Sequence, residues 1–306
     1  MIQVNFKLKN PKFIFRKLKI SDYQKFEKLF YSCFKKKISY DFFKWRYFSD
    51  KFSFCYGVFD SSKLIANVGM KSMELNISSN KKTFSRHSSM VLNKYRGRGI
   101  FSELLKKVKK NFLSKTNIIV MWPNMNNFAS FGIVKKNIIK KKYYLYETSN
   151  SKIKIKNTTN YDIKKLDKFK IFIQSNNDFF LKDYDYFKKR YLSYKSNEYF
   201  INKFVLKKFT SFFILKKNKE KLDLNYIVLD HFGSKYIKSK HLLQLINDEK
   251  KLIFWTKKKI DRKNYKLINN INLNVGLIKK NDLKKNRTLL NKEFMPGDTD
   301  SFITIK

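Results

Sequence analysis

The stretch NKYRGRGIF, Asn93 to Phe101, gathers two residue types that the rest of the chain uses sparingly. Lys and Arg together number 69, yet only eight are Arg, and only eight of the 306 residues are Gly. Here Arg96, Gly97, Arg98 and Gly99 stand side by side. Upstream, KKTFSRHSSMVL reads as a strand. Downstream, Ile100, Leu104, Leu105, Val108 and Phe112 recur at helical spacing, with Lys106, Lys107, Lys109 and Lys110 largely on the other side. The order is strand, glycine turn, helix. A helix start leaves backbone N–H groups unpaired and carries the positive end of the macrodipole. Glycines let such a backbone come close to a ligand. The product is an anion site, with a diphosphate as its natural guest and Arg96 or Arg98 at the rim. An ordinary basic turn is the other reading of these nine residues alone. The Walker A spacing and the three-glycine dinucleotide fingerprint are both absent.

Working outward, IFRKLKISDYQKFEKLFYSCF opens as a short strand and turns helical, with Ser21 as N-cap and Gln24 completing a capping box. Phe26, Leu29, Phe30, Cys33 and Phe34 then share one face. Tyr40 to Phe48 reads as a second helix, and SFCYGVF-DSSK-LIANVGM as strand, turn, strand. NIIVMW is a buried strand ended by Pro123, NNFASFGIVKK a short helix, and KKKYYLYET the last strand of this half. The polar run Ser149 to Asn160 places a domain boundary near 150, giving units 1–150 and 151–306.

One segment recurs. YDFFKWRYFS, from Tyr40, and YDYFKKRYLS, from Tyr184, agree at seven of ten positions. Each precedes strand-like runs, a helix-like run and a strand ending in Trp, NIIVMW or KLIFW. This order predicts two copies of one architecture, the second without an Arg-Gly turn.

The formal net charge of +45 raises a nucleic-acid reading. The lysines are spread along the whole chain, Arg is scarce, and Lys, Asn, Ile, Phe and Tyr all use A/T-rich codons. The charge is therefore read as mainly compositional, with an anionic cofactor or partner still served by the field. Cys33 and Cys55 have no metal-ligand spacing and read as free thiols in a reducing compartment. No apolar segment has signal-peptide or membrane-spanning length, so the expectation is a soluble cytoplasmic protein without a bound metal.

VLNKYRGRGIFSELLKKV resembles the cofactor motif of the GNAT superfamily of acyl-CoA N-acyltransferases, Arg/Gln-x-x-Gly-x-Gly/Ala between the fourth strand and the next helix. Arg96, Gly99 and Ile100 fit; Phe101 stands where Gly or Ala is usual. The Pro-Asn segment MWPNMNNF also resembles the family, and Asn124, with Asn127 as second candidate, falls where an Asn contacts pantetheine or phosphate. The likeness covers about residues 13–148 and extends to GNAT-like proteins of bacterial surface-polysaccharide loci. It implies an α/β (α+β) fold, a mixed central sheet flanked by helices, with residues 151–306 as a degenerate second copy.

The resemblance implies transfer of an acetyl or other acyl group, not an aminoacyl group, from acetyl-CoA to an amine, with a nucleotide-linked amino sugar as the suggested acceptor. Cofactor contacts map onto the backbone of Met90, Val91 and Leu92 and onto Arg96, Gly97, Arg98, Gly99, Ile100 and Phe101. The amine must be neutral to attack a thioester, so a base is needed. His87 on the same strand is the candidate, against a half-exposed histidine without a role; Glu74 is its rival, against a solvated carboxylate. Where the family often places an acidic Tyr this chain has Phe128 and Phe131. Tyr143 and Tyr144 lie beyond and suit packing equally well. His231 and His241 read as structural. Asp298 and Asp300, in GDTD, form a turn or meet a substrate ammonium. Two other functions stay open: a tRNA-dependent aminoacyltransferase of the tandem Fem type, and a non-catalytic basic binding module.

Overall fold

A computed structural model describes residues 13–74, 82–112, 118–121, 138–148, 158–161, 184–192, 199–206, 209–218, 225–233, 252–256, 259–260 and 265–278. The chain begins with β1 (Phe13–Lys17), a 3-10 turn (Ile20–Asp22), α1 (Tyr23–Phe34) and α2 (Tyr40–Phe48). Strands β2 (Phe54–Asp60), β3 (Lys63–Glu74) and β4 (Lys82–Val91) come next, then a 3-10 turn (Asn93–Tyr95), α3 (Ile100–Phe112), β5 (Ile118–Met121) and β6 (Ile138–Thr148). The remainder comprises β7 (Thr158–Tyr161), α4 (Tyr184–Phe187) running into a π-turn (Lys188–Leu192), β8 (Tyr199–Leu206), β9 (Phe209–Asn218), β10 (Asn225–Gly233), β11 (Leu252–Thr256) and β12 (Tyr265–Ile278). Thr158 to Asn160, expected as linker, already belong to β7.

These strands form one sheet in the order β1-β2-β3-β4-β5-β12-β6-β11-β10-β9-β8-β7. Replacing each strand of the first six by the one six places later, and the reverse, returns the same order read backwards. The senses obey the same symmetry. Pairs β4–β5 and β10–β11 are parallel, and every other neighbouring pair is antiparallel. The centre falls between β12 and β6, which pair along Tyr265–Gly276 and Ile138–Thr148. KKKYYLYET was expected to finish the first half's own sheet. Instead β6 lies between β12 and β11, while β12 takes the place beside β5. Each half closes on the other's last strand. Hydrophobic patterning marks a strand but not its neighbour, so the sequence could not show this exchange.

Around β4, the sheet is covered on both faces. Val58, Ile65, Val68, Met70 and Phe84 pack with Ile100, Leu104, Leu105 and Val108 of α3. Phe26 and Leu29 of α1 and Phe43 and Tyr47 of α2 pack with Cys55, Leu64 and Met90 on the other face. Each such side chain, once buried, contributes about 1.5–3 kcal/mol of transfer free energy. A third cluster joins Tyr146 of β6 to Phe213, Val228, Phe254 and Tyr265 of the second half.

The start of α1 departs from expectation. Ser21 lies within the 3-10 turn, and α1 begins two residues later. Asp22 precedes α1 and its side chain closes the 3-10 turn instead: its Oδ2 accepts from the Lys19 amide at 2.8 Å and from Arg16 Nη1 at 2.7 Å, and its Oδ1 from Arg16 Nη2 at 2.8 Å. A bidentate arginine fixes the carboxylate more firmly than a hydroxyl would be fixed. The helix α2 matches expectation, with Ser39 Oγ accepting from the Phe42 amide at 3.2 Å. Among the described residues, no helix is long and apolar enough to cross a membrane.

Candidate functional site

The site is built where β4 gives way to α3. Strand β4 pairs with β3 on one side along its length, and among the described residues its parallel ladder with β5 covers Thr83–Ile118, Phe84–Ile119 and Ser85–Val120. Just beyond, the β3–β4 register shifts: Gly69 faces His87, yet Asn67 faces Met90. Two steps on β3 thus oppose three on β4, which is a β-bulge. Ser88, inside it, has φ +44°. Such a bulge bends its strand, and here it does so just beyond the last described pair with β5, Ser85–Val120.

After the bulge, the Leu92 amide donates to Ile65 O at 2.9 Å. The backbone then makes the 3-10 turn, closed by Tyr95 N to Leu92 O at 2.9 Å and Arg96 N to Asn93 O at 3.1 Å. Tyr95 anchors this turn: it is buried, its hydroxyl donates to Asp60 Oδ2 at 2.7 Å, and its ring meets Phe13 edge-on at 6.3 Å. Gly97 and Gly99 then adopt φ +75° and +72°. A side chain at either position would meet nothing within 4 Å. What they supply is therefore backbone conformation on an open surface, not relief from a crowded core. Gly99 O accepts from Glu103 N at 3.1 Å, the first bond of α3. By helix geometry the amides of Ile100, Phe101 and Ser102 precede that bond and take no intrahelical acceptor. Buried Ile100, Leu104, Leu105 and Val108 hold this helix start against the sheet.

Of the three strand residues expected to offer amides, Leu92 is corrected: its N–H is committed to β3. Ladder alternation then turns the Met90 amide to the β3 side and the Val91 backbone to the β5 side. Val91 O accepts from Arg96 Nε at 3.1 Å and from Cys33 Sγ at 3.6 Å. Arg96 is thus folded onto the strand end with its guanidinium exposed, and Arg98 lies over the Tyr95 ring at 5.6 Å. Phe101 is half-buried against the α3 cluster, with the Arg86 guanidinium 5.5 Å from its ring centroid. Burial pushes Arg86 down to about 10, so it remains cationic at neutral pH. Phe101 therefore has its own structural reason for occupying a position usually held by a small residue: it roofs a buried cation.

His87 is buried, not half-exposed, and strand alternation points it away from Arg86, toward the face carrying α1 and α2. Asn124, Asn127, Phe128, Phe131, His241, Asp298 and Asp300 lie outside the described residues, as do the side chains of Glu74 and His231. Tyr143 is buried and Tyr144 half-buried; the Tyr144 ring lies 6.4 Å from that of Tyr146. Both belong to the exchanged strand β6. Cys55 is buried and Cys33 half-buried, and burial pushes both thiols up. Among the described residues, no group of three His, Cys, Asp or Glu could hold a metal ion. Sequence reading missed Tyr47, Asn67, Arg86 and Ser88, which shape or border the opening. Only Tyr47 carried a signal, as part of the repeated decapeptide.

Residues 15–132 match the family described as an acetyltransferase (GNAT) domain. No curated protein matches the chain. Among solved structures, a probable N-acyltransferase of Enterococcus faecalis V583 is 10% identical with a TM-score of 0.61, covering 86% of this chain and 71% of that one. A GCN5-related N-acetyltransferase of Kribbella flavida is 10% identical with a TM-score of 0.58, covering 87% and 71%. A GCN5-related glucosamine N-acetyltransferase region of a fungal multi-domain β-N-acetylglucosaminidase is 12% identical with a TM-score of 0.51, covering 86% and 38%. At such identities these likenesses establish the fold: it is the GNAT fold, α+β, with a mixed sheet flanked by helices.

Proposed function

We propose that this chain is an N-acyltransferase that moves an acyl group, acetyl in the simplest case, from acyl-CoA to an amine. One observation carries the reading. Two exposed left-handed glycines join the bulged strand β4 to the start of a 13-residue helix. The residues present fit the cofactor. Gly97, Gly99 and the first amides of α3 would hold its diphosphate, with Arg96 and Arg98 adding charge at the rim. Val91 N–H, facing the opening, would donate to the pantetheine or the thioester oxygen. Acyl-CoA, when bound, supplies an acyl group activated as a thioester. His87, on the acceptor side of β4, would take the proton that the attacking amine must lose.

Residues 1–150 hold this site. Residues 151–306 are, in the same proposal, a second copy of the architecture without the cofactor turn, which the symmetric strand order and the repeated decapeptide support. The acceptor class is an amino sugar, nucleotide-linked and destined for surface polysaccharide, and the compartment is the cytoplasm. Support comes from the sequence likeness and from a fold neighbour that is a glucosamine acetyltransferase region. The deciding experiment is mass spectrometry of the purified chain with acetyl-CoA and a panel of nucleotide-linked amino sugars. A 42-dalton gain on one acceptor, the mass of an acetyl group replacing hydrogen, is expected. Thermal stabilisation by tRNA or another polyanion alone, with steep salt dependence and none by acetyl-CoA, points instead to a tRNA-dependent transferase or a binding module.

A further inference from the structure

We propose that Tyr47 is a positioning residue of the acyl-CoA site, acting by clamping the β4 bulge through Ser88. This rests on the acyl-CoA reading above. Two hydrogen bonds converge on Ser88, the residue with left-handed backbone inside the bulge, and a third contact fixes the Tyr47 ring. The Tyr47 hydroxyl is hydrogen-bonded to Ser88 Oγ. Asn67 Nδ2 donates to Ser88 O at 3.2 Å. The Cε1 edge of the Tyr47 ring abuts Gly69, where an added Cβ would collide with it. Tyr47 and Asn67 are both fully buried, so neither partner can drift. A serine does not adopt positive φ without support. Here helix α2 and strand β3 supply that support, one from each side.

The position matters because the bulge sits between the described β4–β5 pairing, which reaches Ser85, and the amide of Val91. Residues 86–91 therefore follow a path that the bulge sets. Releasing Ser88 lets β4 straighten, which would rotate Val91 N–H from the opening and shift the turn that begins one residue later.

An independent observation supports the device. The second half carries Tyr191 at the place of Tyr47 in the repeated decapeptide, and its hydroxyl donates to Asp230 Oδ2. Asp230 lies on β10, the counterpart of β4, at a register shift where Val228 faces Leu215 and Asp230 faces Ile214. The parallel ladder of β10 with β11 ends at Ile227–Ile253, immediately before it. Phe43 and Phe187, and Arg46 and Arg190, are likewise buried in pairs. Tyrosine contact and bulge thus occur together twice, with serine hydroxyl and carboxylate exchanged as partner.

The test uses the full chain and the variants Tyr47→Phe, Ser88→Ala, their double, and Ser88→Asn. Asparagine keeps an acceptor and tolerates positive φ. Amide hydrogen exchange over residues 86–91, without ligand, should rise in Tyr47→Phe and Ser88→Ala and stay near wild type in Ser88→Asn. Acetyl-CoA affinity by calorimetry should fall about tenfold in each of the first two, no further in the double, and stay within about threefold in Ser88→Asn. Wild-type binding together with unchanged exchange and affinity in Tyr47→Phe overturns the clamp alone. Absence of acetyl-CoA binding by the wild type overturns the acyl-CoA reading, and the clamp with it as a site device.

Discussion

Strands β4 and β10 hold equivalent places in the sheet, each antiparallel to the strand before it, parallel to the next, and bulged on the antiparallel side. Each is gripped by a buried helix tyrosine. They differ in the chain just beyond the bulge. β4 runs into Arg96-Gly97-Arg98-Gly99 and α3; β10 ends at Gly233, and residues 234–250 contain no glycine. The comparison separates two properties that are easily confused. The bulge and its tyrosine are part of how this architecture opens a sheet, and they occur twice. The left-handed glycine turn, which in the proposed function holds a diphosphate, is found among the described residues only after β4.

Substitutions on either side of that divide should therefore behave differently. The largest effect is expected from Gly99→Val, which forces a β-branched residue to φ +72° in front of α3. Acetyl-CoA affinity of the folded protein should fall by at least about a hundredfold, measured by calorimetry, while stability falls by about 1–3 kcal/mol from the backbone strain alone, since a Cβ there meets no atom within 4 Å. Equal binding by Gly99→Val would remove the turn from the account. Next comes Asp230→Ala in the second half. It leaves the hydroxyls of Tyr186, at 3.1 Å, and Tyr191 without their carboxylate. Unfolding by denaturant should show a loss of about 2–4 kcal/mol, with acetyl-CoA affinity of the folded protein unchanged. A large drop in affinity there would mean that the second opening also takes part in cofactor binding.

Phe101→Ala is expected to be mild for binding, within about threefold, because the backbone at a helix start holds an anion, not the side chain. Its cost should appear in stability, about 1 kcal/mol, through the uncovered Arg86. The smallest effect belongs to Asp22. Hydrogen bonding from Arg16 holds its carboxyl below the ordinary range. A depressed acid stabilises the fold fully above its unfolded value, about 3.9, and that contribution is lost as the pH falls through the lower folded value. Asp22→Asn should therefore be less stable than wild type at pH 6 by less than about 1 kcal/mol, since Arg16 is partly exposed, and the gap should narrow below pH 4. A gap unchanged with pH would show that the ion pair is not its source.

Much of the first half was legible because its signals are local. Helix α2, the β2–β3 hairpin, β4 and α3 each announce themselves by period or by turn residues within a dozen positions. The Gly97–Gly99 turn was legible because positive φ selects glycine. What escaped was non-local. The exchange of β6 and β12 depends on which strand edges meet, and an edge has no sequence signature. The start of α1 was misjudged because Arg16, six residues upstream, outcompetes a nearby serine by fixing Asp22. The left-handed Ser88 was invisible for the same reason: its conformation is imposed by Tyr47 and Asn67, not chosen by serine.

The central claim is that one of two similar openings has been equipped for acyl-CoA. Calorimetric titration of the full chain with acetyl-CoA tests it most directly. The account predicts saturable binding at one site per chain. Two sites per chain, or none, would contradict it.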